Sequence, residues 1–149
     1  MYTRILVAVD GSELANKALR HAFALAKGTN VKLMVLTATD PSVMLAPGAE
    51  MMMVDTGAII ADLEKTKAEA AKAVLAEANE MAKDAGLTIQ TLHMPGSVAA
   101  DAIIEVAKQQ GADLIVMGSH GRRGLGRLLL GSQAAEVLSR STIPVLIVK

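Results

Sequence analysis

Three junctions along this chain share one grammar, and their repetition limits the possible folds more than any other feature. Ala26-Lys27-Gly28 precedes Val31-Lys32-Leu33-Met34-Val35-Leu36, Lys83-Asp84-Ala85-Gly86 precedes Leu87-Thr88-Ile89-Gln90-Thr91-Leu92, and Lys108-Gln109-Gln110-Gly111 precedes an apolar run at 113–117. In each, a cation is expected in the last turn of a helix, a glycine supplies the left-handed cap, and a strand follows. Repeated alternation of helix and strand specifies a parallel sheet with crossover helices.

Periodicity supports the same architecture. Leu14, Ala15, Ala18, Leu19, Ala22, Leu25 and Ala26 fall on one face of a first helix. Val98, Ala102, Ile103, Val106 and Ala107 do the same in a later one, with Ser97 as its expected N-cap and Asp101 in its first turn. An Ala-rich helix is expected over about 58–85, with Glu64, Lys65, Lys67, Glu69, Lys72 and Glu77 as a solvated face, and a last helix over about 132–140. Strands are expected at about 4–9, 31–36, 87–92, 113–117 and 144–148. The first, second, fourth and fifth are near-continuous apolar runs, as strands covered on both faces require. The expected fold is α/β: a single doubly wound domain over residues 1–149 with a five-stranded parallel sheet, order 3-2-1-4-5. One long loop interrupts it, Asp40 to Thr56, holding Pro41, Met44, Pro47, Gly48 and Met51-Met52-Met53. Such loops tend to be functional or mobile, so a lid, a partner surface and plain loop filler all fit it.

Composition closes off several function classes. Apolar residues make up 52% of the chain, yet there is one Phe, one Tyr and no Trp, so the core must be aliphatic. Fifteen acids balance fifteen bases. No global field therefore favours nucleic acid or an anionic membrane, and scarce aromatics leave no platform for stacking bases. The absence of cysteine excludes disulfides, thiolate catalysis and Cys-ligated zinc. Three histidines without metal-ligand spacing make no zinc site, and His21 and His93 read as structural or exposed. No apolar stretch approaches the roughly 20 residues that span a bilayer, and Met1-Tyr2-Thr3-Arg4-Ile5 has no signal-peptide shape. A soluble, cytoplasmic protein without membrane insertion or nucleic-acid binding is the expectation.

Chemistry concentrates after the fourth strand. Gly118-Ser119-His120-Gly121 is followed, nine residues on, by Gly131-Ser132 at the start of a helix, with Arg122, Arg123 and Arg127 between. Glycines let backbone amides approach a ligand closely, and a helix start leaves N–H groups unpaired, a combination suited to phosphate. Ser132 is also a good N-cap, a role compatible with phosphate binding. In open parallel sheets ligands bind at strand carboxyl ends where strand order reverses. If that point lies between strands 1 and 4, the loop Ala8-Val9-Asp10-Gly11-Ser12 faces the glycine run. Asp10 is then placed to bond a ribose hydroxyl, join a metal–phosphate shell, or cap the first helix. A P-loop, G-x-x-x-x-G-K-S/T, is absent, and no G-x-G-x-x-G follows the first strand.

The G-x2-G-x9-G-S/T pattern, together with Ile5-Leu6-Val7-Ala8-Val9-Asp10-Gly11-Ser12, Ala112-Asp113-Leu114-Ile115-Val116-Met117-Gly118-Ser119-His120-Gly121 and Ile143-Pro144-Val145-Leu146-Ile147-Val148, resembles the universal stress protein family along the whole chain. The resemblance implies an adenine-nucleotide alpha-hydrolase-like fold and the ATP-binding subgroup, since every motif glycine is present. It implies that Gly118, Gly121, Gly131 and Ser132 hold phosphates, and that Asp10, with Ala8 and Val9 beside it, lies near ribose or phosphates. Leu36, ending the second strand, and Met117 would contact adenine. His120 and Arg122 lie at intervening motif positions, and Gln133 follows where the family commonly carries an apolar residue. ATP is the expected ligand, with Mg2+, and AMP and cyclic nucleotides remain open. The expected function is a nucleotide-dependent stress-response regulator with an unnamed downstream protein partner. The alternatives are a slow ATPase or phosphotransferase, and a nucleotide-independent adaptor acting through the 41–56 loop. No nucleophile–base arrangement stands out, and Asp10-Gly11-Ser12-Glu13 does not match the Ser-Gly-Gly-x-Asp-Ser loop of related pyrophosphatases.

Dimerisation through the last strand, 144–148, is a further implication, and an uncovered edge carrying Val145 to Val148 is an aggregation hazard unless paired. Size-exclusion chromatography with light scattering at micromolar concentration is expected to give twice the chain mass; a monomer would count against it.

Overall fold

The computed structural model describes residues 1–42, 56–122 and 129–149. In chain order it contains β1 (Arg4–Ala8), α1 (Glu13–Ala26), β2 (Lys32–Thr39), α2 (Thr56–Asp84), β3 (Ile89–Pro95), α3 (Ala99–Gln110), β4 (Leu114–Gly118), α4 (Ser132–Arg140) and β5 (Val145–Val148). The sheet has the expected five strands in the order β3-β2-β1-β4-β5, and every pairing is parallel. No helix among the described residues is long and apolar enough to cross a membrane. The Met-rich part of the expected long loop, residues 43–55, and Arg123 and Arg127 lie outside the described residues.

Because successive side chains of a strand point to opposite faces, each central strand feeds two cores. Ile5, Val7, Leu33, Val35, Leu114 and Val116 meet α1 and α2 on one face. Leu6, Met34, Leu36, Ile115 and Met117 meet α3 and α4 on the other. The helices answer largely with alanines (Ala15, Ala18, Ala22 and Ala26 of α1, Ala102 and Ala107 of α3), whose small side chains let helix and sheet approach closely. Each buried Leu, Ile or Val contributes about 1.5–3 kcal/mol.

The faces differ from expectation at their borders. Leu25 is 42% exposed, and Phe23, one turn beyond Leu19, takes its place in the core. Val98 is likewise exposed, because it precedes α3 as its N-cap. β5 is an edge strand, so Val145, Leu146 and Ile147 are half-buried rather than covered on both faces.

The three junctions resolve into two mechanisms. After α2 and α3 the chain makes the same left-handed stop, with Gly86 at φ 70° and Gly111 at φ 64°. Leu87 N–H bonds Ala82 O at 2.9 Å and Ala112 N–H bonds Ala107 O at 2.8 Å, the long-range bond of a Schellman motif. Those bonds spend residues just past each glycine, which is why β3 starts at Ile89 and β4 at Leu114, later than the apolar pattern indicates. After α1 the device is different. Lys27 (φ −60°, ψ 126°) is the cap itself, no cation occupies the last turn, and Gly28 has φ 74°. With Thr29 N–H bonded to Ala26 O at 3.1 Å, this is a type II turn, whose third position demands φ > 0. Ser97 does not cap α3 either. The Ala100 N–H is bonded by Gln133 Oε1 of α4 at 2.9 Å, so a neighbouring helix supplies the acceptor.

Asp113 fastens the bottom of β1 to β4, accepting from Thr3 N and Thr3 Oγ1 at 2.7 Å each and from Arg4 N at 3.0 Å. Burial pushes its carboxyl up, but the hydrogen bonds from Thr3 and Arg4 outweigh that and hold it below the ordinary carboxylate value. The clasp is therefore fully formed above about pH 4 and is lost as pH falls through the lowered folded value. The stability deficit of Asp113→Asn, measured by urea denaturation, is expected at neutral pH and should vanish on acidification; a pH-independent deficit would contradict the assignment. Leu6→Ala, at a fully buried position of β1, should cost about 2–5 kcal/mol in the same assay.

Candidate functional site

β1 and β4 are neighbours, and the chain leaves them in opposite directions, β1 toward β2 and β4 toward β5. Their carboxyl ends therefore flank the switch point of the sheet. Past β1, Val9 N–H extends the ladder to Leu36 O at 2.9 Å, and Val9 itself is buried on the α1/α2 side. The chain then turns at Asp10. Its Oδ1 accepts the Ser12 N–H at 2.9 Å, and its Oδ2 accepts the Arg122 N–H at 2.9 Å. One carboxylate thus shapes its own loop and ties down the glycine loop. Capping of α1 falls to Ser12, whose Oγ accepts the Ala15 N–H at 3.2 Å.

The motif glycines are required by close approach inside the chain. A Cβ at Gly118 would sit 3.1 Å from Leu14 Cβ and 3.2 Å from Leu14 C, so this glycine lets α1 start against the end of β4. At Gly121 it would lie 2.6 Å from Asp10 Oδ2, and at Gly131 2.8 Å from Ser119 O. Gly11 combines φ 79° with the Arg122 guanidinium, which lies over it beside Val74 of α2, 2.5 Å from the Cβ position. Ser119 is buried; its N–H bonds Val148 O and its carbonyl accepts Gly131 N–H, both at 2.8 Å. His120 Nδ1 pairs with Ser119 Oγ at 3.1 Å.

Gly131, not Ser132, is the N-cap of α4, without a side-chain capping bond. The first in-helix bond is Ala135 N–H to Gly131 O at 2.9 Å. That leaves the amides of Ser132, Gln133 and Ala134 without a partner among the described residues, at the positive end of the helix dipole. The Gln133 side chain is committed to α3, so only its backbone faces this opening.

Two residues expected near adenine lie in the core, and one of them is not the strand end it was expected to be. Leu36 does not end β2, which runs on to Thr39, and both Leu36 (1% exposed) and Met117 (6%) pack into the α3/α4-side core. Thr37, Ala38 and Thr39 now lie closer to the strand's carboxyl end than Leu36, and Thr37 is buried. Their signal was weak, because a Thr-Ala-Thr run looks equally like a strand end and a loop. Ala8 is half-buried at the end of β1, beside Asp10. Among the described residues no three His, Cys, Asp or Glu side chains gather to hold a metal.

Comparison with known proteins gives matches along the whole chain. The sequence profile of the universal stress protein family matches residues 1–149. The chain is 35% identical over 149 residues to universal stress protein MJ0531 of Methanocaldococcus jannaschii, covering 100% of this chain and 83% of that protein. Among solved structures, that of MJ0577 superposes with a TM-score of 0.83 at 30% identity, covering 100% of this chain and 96% of the other. MJ0577 is from the same organism. A universal stress protein solved in complex with cAMP superposes at 0.69, with 32% identity and coverage of 99% and 97%.

If Asp10 joins the two loops, removing it should free both amides it holds. Asp10→Ala is expected to raise hydrogen exchange at Ser12 and Arg122 while leaving core strand amides protected; unchanged exchange at Arg122 would show that the loop is held by something else. Gly11→Ala should cost about 1–3 kcal/mol from its left-handed backbone alone.

Proposed function

The chain belongs to the universal stress protein family, and from that premise we propose that residues 1–149 form one adenine-nucleotide-binding domain whose occupancy regulates a protein partner. The observation that carries this reading is the presence of two groups just past the carboxyl ends of the adjacent strands β1 and β4. One is the Asp10 carboxylate, the other the amides of Ser132, Gln133 and Ala134, which have no partner among the described residues. Phosphates would be received by those amides and the dipole of α4, with Gly118, Gly121 and Gly131 keeping the backbone close. Arg122 and His120 would border the phosphates, and Ala8, Val9 and the end of β2 the base and ribose. The relative solved with cAMP supports an adenine nucleotide as the ligand class.

ATP is the proposed ligand within that class. Mg2+ fits as its companion, because Mg2+ is commonly held by one or two carboxylates plus substrate phosphates, and Asp10 supplies one carboxylate. When bound, the metal would neutralise phosphate charge. Asp10 also offers a route from occupancy to surface: a ribose hydroxyl that bonds Oδ2 competes with the Arg122 N–H and loosens the start of the glycine loop. Pairing of β5 edges, 144–148, between two copies and a cytoplasmic location complete the proposal.

Isothermal titration with ATP, AMP and cAMP, each with and without Mg2+, tests it. ATP is expected to bind, and Asp10→Ala to weaken binding about 10–100-fold, the loss of one or two charge-assisted contacts. Gly121→Val should abolish binding by forcing a side chain onto Asp10 Oδ2. No binding of any adenine nucleotide would overturn the proposal.

A further inference from the structure

A cleft of about 400 Å³ opens on the α1/α2 side of the sheet, between α2 and the edge strand β3. Ala68, Lys72, Ala76 and Asn79 of α2 line one wall, and Thr91 and His93 of β3 the other. The sequence makes this gap for a definite reason. On β3 the residues facing α2 alternate from Ile89, which packs against the core, to Thr91 and His93, which do not. On α2 the only buried residues are Ala71, Ala78 and Ala82. Ala68 and Ala76 then leave open a space that longer side chains would fill. The core stops, and the helix continues past it.

The lining has a defined chemistry. Lys72 has no ion pair, and the side chains of Asn79 and Thr91 have no hydrogen-bond partner, among the described residues. His93 Nε2 pairs with Thr39 Oγ1 at 2.9 Å, leaving Nδ1 for another partner. Among the described residues no carboxylate lines the cleft. One cation, an amide, a hydroxyl and an imidazole nitrogen over alanine methyls complement an anionic head on an apolar body. The volume falls in the range typical of small-molecule sites, about 300–1,000 Å³. The cleft shares no lining residue with the β1–β4 crevice.

We propose that the α2–β3 cleft is a second binding site, taking a small organic carboxylate with an apolar body, its charge against Lys72 and its oxygens within reach of Asn79 and Thr91. This assignment is independent of nucleotide binding.

Titration of 15N-labelled protein with benzoate, and in parallel with neutral benzamide, tests it by amide chemical shift. Benzoate is expected to shift Lys72, Ala76, Thr91 and His93 saturably with Kd below about 10 mM, leaving Ser132 to Ala134 unmoved, and benzamide to bind at least about tenfold more weakly, the loss of a charge-assisted contact. Lys72→Gln should weaken benzoate by a similar factor, and Ala76→Leu should abolish binding by filling the cleft. Both positions are exposed on α2, so an unchanged thermal midpoint is expected for each. The proposal is overturned if benzoate does not saturate, if benzamide binds equally well, if Lys72→Gln is without effect, or if the shifts fall outside the cleft.

Discussion

The Asp10 carboxylate joins the loop after β1 directly to the glycine loop after β4. One oxygen holds Ser12 N–H, two residues away, and the other holds Arg122 N–H, 112 residues away. The first bond sets the turn from which Ser12 caps α1, and the second fixes where the glycine loop leaves β4. Gly121 must be glycine because that same oxygen occupies the space of its Cβ. The geometry of the crevice follows from a single charged group, positioned by the central strand of the sheet.

Central placement was readable from the sequence because it rests on burial. The runs Ile5-Leu6-Val7 and Leu114-Ile115-Val116-Met117 have no polar face to offer water, so they had to be interior strands. The pairing of Asp10 with the glycine loop followed from the switch-point rule once strand order was taken to reverse between strands 1 and 4. What escaped was chemistry between distant residues. Nothing near Ser97 in the sequence announces that Gln133 will bond the start of α3. Likewise a lysine and a glycine after a helix look alike whether they form a Schellman stop or, as at Lys27-Gly28, a type II turn. Leu36 was misplaced as the strand end because polar threonines follow it, although the backbone ladder to β3 continues through Thr39.

The motif glycines carry a second lesson. Read as sequence, they allow amides to reach a phosphate. In the structure Gly118, Gly121 and Gly131 each answer to Leu14, Asp10 or Ser119 before any ligand is considered. The two demands are compatible, since a backbone packed this tightly holds the amides of Ser132 to Ala134 in a fixed array, the preorganisation that lowers the cost of binding. Presence of the glycines therefore speaks first for the shape of the loop, and through that shape for its ligand.

The central claim is that an adenine nucleotide lies across the crevice with its phosphates on the start of α4. A crystal structure grown with ATP and Mg2+ tests it most directly. The account predicts phosphate oxygens about 3 Å from the amides of Ser132, Gln133 or Ala134, with the ribose against Asp10. Nucleotide bound elsewhere on the surface, with the Asp10–Arg122 bond and the α4 amides untouched, would contradict it.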